Sequence, residues 1–308
     1  MNGTEVHSMI QIHLSLRVLL TVLPCLLFLF VNSIMLFKLL KKPLFMESPR
    51  YVLFGHLLFS DSLQLLLTML LYILALTMVR IITCVCVVVI QLSAITVKMS
   101  PINLAVMSLE RYVAICFPLR HGTIATFRAT RAAIAVMWTL ASLDSFVQLF
   151  LFFSLSTRSL TAHQICSRKG VFQLQVYVII NQVFTVVNFV LVTVIIFYTY
   201  VAIMVAVKCR CSCVHRAKMA RKTVLLHMLQ LCLYLISSLF SMINSSELLN
   251  LDPAAAFYIH PMLFSGLIIL PRCLSPVIYG LRDHKLRQVF KCNFTFVYKA
   301  SVEPHPRS

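Results

Sequence analysis

The chain has 308 residues, 27 Lys+Arg against 9 Asp+Glu, a formal charge of +18, 60% hydrophobic residues and a mean hydropathy of +0.92. Only 12% of residues are charged, against about 25% in a soluble globular domain, so there is too little polar side chain to clothe a water-soluble enzyme. With 6 Gly and 11 Pro the chain is neither collagen-like nor of disordered composition.

In chain order, a short N-terminal tail (1–15) carries Asn2-Gly3-Thr4, a glycosylation acceptor pattern at Asn2. Seven apolar stretches follow, at about 16–40, 51–77, 86–111, 132–154, 175–207, 224–243 and 257–279. Each is long enough to cross a hydrocarbon layer of ~30 Å at ~1.5 Å per helical residue. In lipid a backbone must satisfy its own hydrogen bonds, so these stretches are predicted helices. The first has no basic start and no small-residue cleavage site, which marks it as a retained span. The connections are short and leave no room for a soluble catalytic domain. Residues 280–308 form a tail, in which a short amphipathic helix is expected after the seventh span.

The basic residues orient the bundle. With the N-terminus outside, the inner connections and tail hold Lys38, Lys41, Lys42 and Arg50, then Arg120, Arg128 and Arg131. They also hold Lys208, Arg210, Arg216, Lys218, Arg221 and Lys222, and finally Arg282, Lys285, Arg287, Lys291, Lys299 and Arg307. The outer side holds only Arg17, Arg80, Arg158, Arg168 and Lys169. The positive-inside rule therefore predicts N-out and C-in. Anionic lipid headgroups account for most of the basic excess, with no need for a nucleic-acid partner.

Cys86 at the outer end of the third span and Cys166 in the second external loop lie on the oxidising side, where a bridge between them is expected, with Cys84 as the competing partner. Cys209, Cys211 and Cys213 do not follow a zinc-site spacing, and Cys292 sits where a lipid anchor is expected.

The third span ends in Met107-Ser108-Leu109-Glu110-Arg111-Tyr112-Val113-Ala114-Ile115-Cys116-Phe117-Pro118-Leu119. This run resembles the M-x-x-D-R-Y-x-A-I-C-x-P-L signature of vertebrate odorant receptors, within the rhodopsin-like G-protein-coupled receptors. Pro49-Arg50-Tyr51 with Leu57 and Asp61, and Ser275-Pro276-Val277-Ile278-Tyr279-Gly280-Leu281-Arg282-Asp283, resemble two further family segments in the right order. Asn32 and Trp138 also stand where the class usually has them. The chain departs from the pattern at Glu110 for Asp and Ser275 for Asn. It also lacks the usual prolines of the fifth and sixth spans and has a single Cys in the second external loop. Such a set resembles the fish-type branch.

The resemblance implies a seven-helix, all-α membrane receptor at the plasma membrane. A small odorant would bind in its outer half, and a heterotrimeric G-protein of the stimulatory olfactory type would dock on its inner face. Glu110, Arg111 and Tyr112 are then the coupling residues, with Tyr200, Pro276 and Tyr279 as switch positions. The two tyrosines could equally be headgroup anchors.

Charges inside spans are costly unless paired, at about 2.5–3.5 kcal/mol each. Asp61 is expected either to pair with Arg272 or to bind sodium, with Ser275 nearby. Lys98 is expected either to pair with Asp144 or to face the cavity and receive an anionic ligand. The cavity candidates are Ile90, Ser93, Ala94, Val97 and Lys98 on the third span, with Asn181, Gln182, Tyr234, Ser238, His260 and Phe264 opposite.

A transporter would show repeated halves and Gly/Pro-broken helices, and none are visible. No metal-ligand, nucleophile or paired-carboxylate motif accompanies His56, His227 or His260, so neither catalysis nor a cofactor or metal is expected. Within receptors, a peptide or lipid ligand is the alternative to an odorant.

Overall fold

In a computed structural model, residues 3–41, 47–155, 161–172 and 174–210 are described, together with 225–226, 228–230, 232–234, 236–237 and 272. Five long helices account for most of them: α1 (Gly3–Lys41), α2 (Pro49–Thr77), α3 (Thr83–Cys116), α4 (Phe127–Leu155) and α5 (Gln175–Arg210). All five are long and apolar enough to cross a membrane, α1 through its Thr21–Lys41 portion. The rest of the sixth and seventh spans, and the expected tail helix, lie outside the described residues.

The helices are inside-out relative to those of a soluble protein. On α4, Phe146, Phe150 and Phe153 are 66%, 71% and 64% exposed, while Asp144, Ser145 and Gln148 are at most 1% exposed. An apolar stripe facing outward over a polar seam facing inward is stable only where the surroundings are hydrocarbon.

The helix ends follow local chemistry. Pro49 stands in the first turn of α2 behind an extended Ser48, whose carbonyl accepts from the amides of Tyr51 and Val52 at 3.0 and 3.2 Å. The same helix stops at Met78, in the left-handed region at φ 49°. Pro24 and Pro101 lie inside α1 and α3, each removing one ladder donor that a helix in a bundle tolerates. Gly55 lets α1 and α2 close up, since a Cβ there would lie 2.7 Å from Leu39 Cδ2.

Two differences from the sequence expectation stand out. The helix begins at Gly3, so the segment expected as a tail is helical, ahead of the apolar Thr21–Lys41 portion. The described residues also include a small antiparallel sheet, β1 (Arg80–Ile82) on β2 (His163–Ile165), in the register Arg80 with Ile165 and Ile82 with His163. This short pairing is a local addition to an all-α bundle. The pairing joins two outer connections that are too short and too far apart in sequence to betray it by periodicity.

The central core packs Met35 and Leu39 of α1, Phe54 and Leu58 of α2, Met99 and Leu104 of α3, Met137 of α4 and Ile196 of α5 around one another. A separate outer core gathers Cys86, Ile90, Phe152, Cys166, Phe172 and Tyr177. The Cys86–Cys166 disulfide, with Cα atoms 5.5 Å apart, pins the α4–α5 connection to α3, and Cys84 remains a free, exposed thiol.

Candidate functional site

The antiparallel pair α2 and α3 is joined by a polar ladder in which residue numbers rise on one helix as they fall on the other. His56 Nδ1 meets Asn103 Nδ2 at 3.0 Å, Ser100 donates to Asp61, and Thr96 donates to Gln64. Trp138 Nε1–H of α4 donates to His56 Nε2 at 3.0 Å, so one imidazole links three helices. Polar residues at 96, 100 and 103 of α3, and at 56, 61 and 64 of α2, recur every three to five positions. That stripe is the signal by which sequence reasoning could have found the ladder it missed.

Asp61 is fully buried and lies 3.5 Å from the Tyr234 hydroxyl. The Arg272 guanidinium sits over the Tyr234 ring, 6.0 Å from its centroid. Asp61 and Arg272 therefore share the environment of one tyrosine. Tyr234, expected among the residues lining the ligand cavity, is thus near Asp61. It is buried at the level of Asp61, where its hydroxyl can donate to the carboxylate. Ser275 lies outside the described residues.

Of the two readings of Lys98, the structure adopts the ion pair, in which Lys98 Nζ donates to Asp144 Oδ2 with both side chains buried. Gln148 Nε2 donates to the same oxygen at 3.3 Å, and Arg168 of the α4–α5 connection reaches Gln148 Oε1 at 3.5 Å. Desolvation lowers the pKa of Arg168 from its ordinary value and the Asp144 charge opposes that shift. A guanidinium nonetheless stays protonated.

The remaining outer-half candidates scatter. Ile90 is packed into the outer core, and Ala94 is buried. Ser93, Val97, Asn181 and Gln182 are half-buried. Ser238, His260 and Phe264 lie outside the described residues, as do Pro276, Tyr279, Cys292 and Asn2.

At the C-terminal end of α3 the two oxygens of Glu110 are divided. Arg111 Nε lies 3.3 Å from Oε2, and His121 Nε2 lies 3.4 Å from Oε1. Tyr112, Tyr200 and Met228 pack around Ile203, joining α3 and α5 to the sixth segment. Beside them, Tyr112, Cys116, Tyr198 and Ala202 help line a recess of about 390 Å³ between α3 and α5. Phe117, just past the end of α3, borders it, and its ring lies 5.8 Å from that of Tyr112. An arginine held by its neighbouring carboxylate, at the junction of three segments, can exchange partners if those segments move. Among the described residues no group of His, Cys, Asp and Glu is arranged to hold a metal.

Residues 31–279 match the 7 transmembrane receptor (rhodopsin family). Odorant receptor 131-2 of Danio rerio is 32% identical over 271 residues, covering 85% of this chain and 81% of its own. Olfactory receptor 52J3 of Homo sapiens is 30% identical over 192 residues, 60% of each chain. Olfactory receptor 52B6 of Homo sapiens is 29% identical over 209 residues, covering 64% and 60%.

Proposed function

Since the chain belongs to the rhodopsin family of seven-transmembrane receptors, we propose that it is an odorant receptor. It binds a small organic ligand in the outer half of its helix bundle and signals to a heterotrimeric G-protein on its inner face. It is a multi-pass membrane protein of a signalling family, not an enzyme. The observation that carries the proposal is the similarity to Odorant receptor 131-2 along most of both chains, joined to an Arg111 held by Glu110 at the inner end of α3.

The N-terminus is outside and the C-terminus cytoplasmic, in keeping with the crowd of basic residues on the inner connections. At rest Glu110 and His121 hold the inner end of α3. Ligand binding biases the bundle toward an arrangement in which Arg111 leaves Glu110 and a cytoplasmic cleft opens between α3, α5 and the sixth span. Tyr112, Tyr200, Pro276 and Tyr279 take part in that rearrangement. The partner is a G-protein of the stimulatory olfactory type, and a short helix after the seventh span borders its docking surface. Asn2 carries a glycan on the external side.

The test is nucleotide exchange on a purified stimulatory G-protein by the purified receptor in nanodiscs, across a panel of acids, amines, alcohols and amino acids. Ligand-dependent exchange is expected. Exchange absent for every compound, together with substrate flux in liposomes, would overturn the receptor reading.

A further inference from the structure

The recess at the C-terminal end of α3 opens sideways out of the bundle. At its base Cys116 Sγ lies 4.0 Å from the carbonyl of Ala202, where α3 and α5 touch. Tyr112 and Phe117 flank it on one side, Tyr198 and Val205 of α5 on the other. Val190, Val194, Tyr198, Val201 and Val205 are all exposed and stand three or four apart, so they form one outward stripe along α5. The recess is therefore continuous with the surface that α5 turns to hydrocarbon.

Its size limits the occupant. One turn of helix, about 10–12 Å across and ~5.4 Å long, fills roughly 400–600 Å³. The recess holds about 390 Å³, too little to seat a neighbouring helix but suited to a flexible hydrocarbon chain. Left empty, its walls would forfeit their dispersion contacts.

Charge gathers at the rim. Phe117 begins a tight turn in which the Arg120 amide donates to the Phe117 carbonyl at 3.1 Å. From Phe117 into the first turn of α4, residues 117–131 hold Arg120, Arg128 and Arg131 and no Asp or Glu. Glu110, the carboxylate that precedes this segment, is engaged by Arg111 and His121. Arg120 and Arg128 are exposed, and the Arg131 guanidinium lies over the Phe127 ring, 5.9 Å from its centroid. Ile124 and Phe127, both 47% exposed, stand among these cations as in a segment lying at a headgroup boundary. α5 itself runs on past the recess through Lys208 to Arg210. The positive-inside rule asks for basic residues, but not for an apolar recess beside them.

We infer that this recess binds an anionic diacyl phospholipid, with one acyl chain between α3 and α5 and the phosphate against the α3–α4 connection. Tyr112 and Tyr198, whose rings meet edge-on with centroids 6.0 Å apart, offer phenolic hydroxyls to the glycerol esters. The orientation proposed above puts the site in the cytoplasmic leaflet, which is rich in anionic lipid. Binding needs neither odorant nor G-protein, so the inference goes beyond the receptor reading and is tested apart from it.

The experiment titrates full-length receptor in detergent with palmitoyl-oleoyl phosphatidylserine, or with phosphatidylcholine of the same chains. Native mass spectrometry counts the lipid adducts, and thermal unfolding is followed in parallel. Phosphatidylserine is expected to fill one site about fivefold more tightly than phosphatidylcholine, a margin that shrinks as ionic strength rises. Arg120→Gln should weaken phosphatidylserine about fivefold, while Lys41→Gln on α1 should leave it unchanged. Ala202→Phe should fill the recess and remove the tight site. Ala206→Phe, one turn further along α5, serves if that variant does not fold.

Equal affinity for the two lipids, equal losses in Arg120→Gln and Lys41→Gln, full competition by water-soluble glycerophosphoserine, or unchanged binding in both phenylalanine variants would overturn the inference. So would an Ala202→Phe protein that loses self-association while the parent shows no lipid preference, since a second copy of the chain would then be the occupant.

Discussion

Replacing Asp144 with Leu tests the energetics of the bundle most directly. The substitution leaves Lys98 buried among α3 and α4 without the carboxylate it now pairs with. Breaking one side of a buried pair costs about 3–5 kcal/mol in soluble proteins, and an unpaired lysine at mid-span about 2.5–3.5 kcal/mol on insertion scales. A loss of about 3 kcal/mol is therefore expected, a fall in unfolding temperature of roughly 6–12 °C at about 2–4 °C per kcal/mol. Lys98→Met should cost less. Asp144 would still accept from Gln148 at 3.3 Å and would keep the Arg168 charge nearby. The double variant Lys98→Met with Asp144→Leu removes both charges and should recover to within about 1 kcal/mol of the parent. Thiol-dye unfolding in detergent and surface staining of intact cells read all four proteins. An Asp144→Leu variant as stable as the parent, or a double variant as unstable as the two single losses combined, would refute the assignment of a structural ion pair.

Arg111→Ala should reach the cell surface yet lose ligand-evoked nucleotide exchange, and unchanged exchange would remove Arg111 from the coupling machinery. Met78→Gly should stabilise the protein by about 1 kcal/mol, because a left-handed backbone strains an L-residue and not glycine, while Met78 is 65% exposed and gives up little packing. Thermal unfolding decides it, and a destabilised variant would contradict the backbone argument. Cys166→Ser should lower the unfolding temperature and leave Cys86 open to alkylation, whereas Cys84→Ser should change neither. Equal stability of Cys166→Ser and the parent under oxidising conditions would show that the tether contributes nothing.

Much of the bundle was legible because the lipid solvent imposes one rule on every span. Apolar runs expected at about 51–77, 132–154 and 175–207 correspond to helices Pro49–Thr77, Phe127–Leu155 and Gln175–Arg210. Hydrocarbon demands twenty or so apolar residues in helical form wherever they occur, and that demand is local in sequence. The inner-end motif was legible for a similar reason, since Glu110 and Arg111 are adjacent and meet without help from the rest of the fold. Less was legible where the relation joins distant segments. Lys98 and Asp144 are 46 positions apart, and before the helices are docked nothing chooses between that pair and a lysine facing a cavity. The approach of Tyr234 to Asp61 was hidden for the same cause. Its depth depends on how the sixth segment slides against α2, 173 positions away, and an apolar periodicity leaves that slide free.

The amino-acid sequence alone determined that this protein lives in a membrane, where long apolar helices form, and which short run closes the third of them. Each of these depends on the cost of exposing polar backbone or charge to hydrocarbon, a cost paid residue by residue. Tertiary structure alone decided that His56 would bridge Asn103 and Trp138. It also decided that β1 would find β2 and that Arg168 would reach down to Gln148. Those outcomes turn on which helix faces meet and at what height, and only the packed bundle sets either.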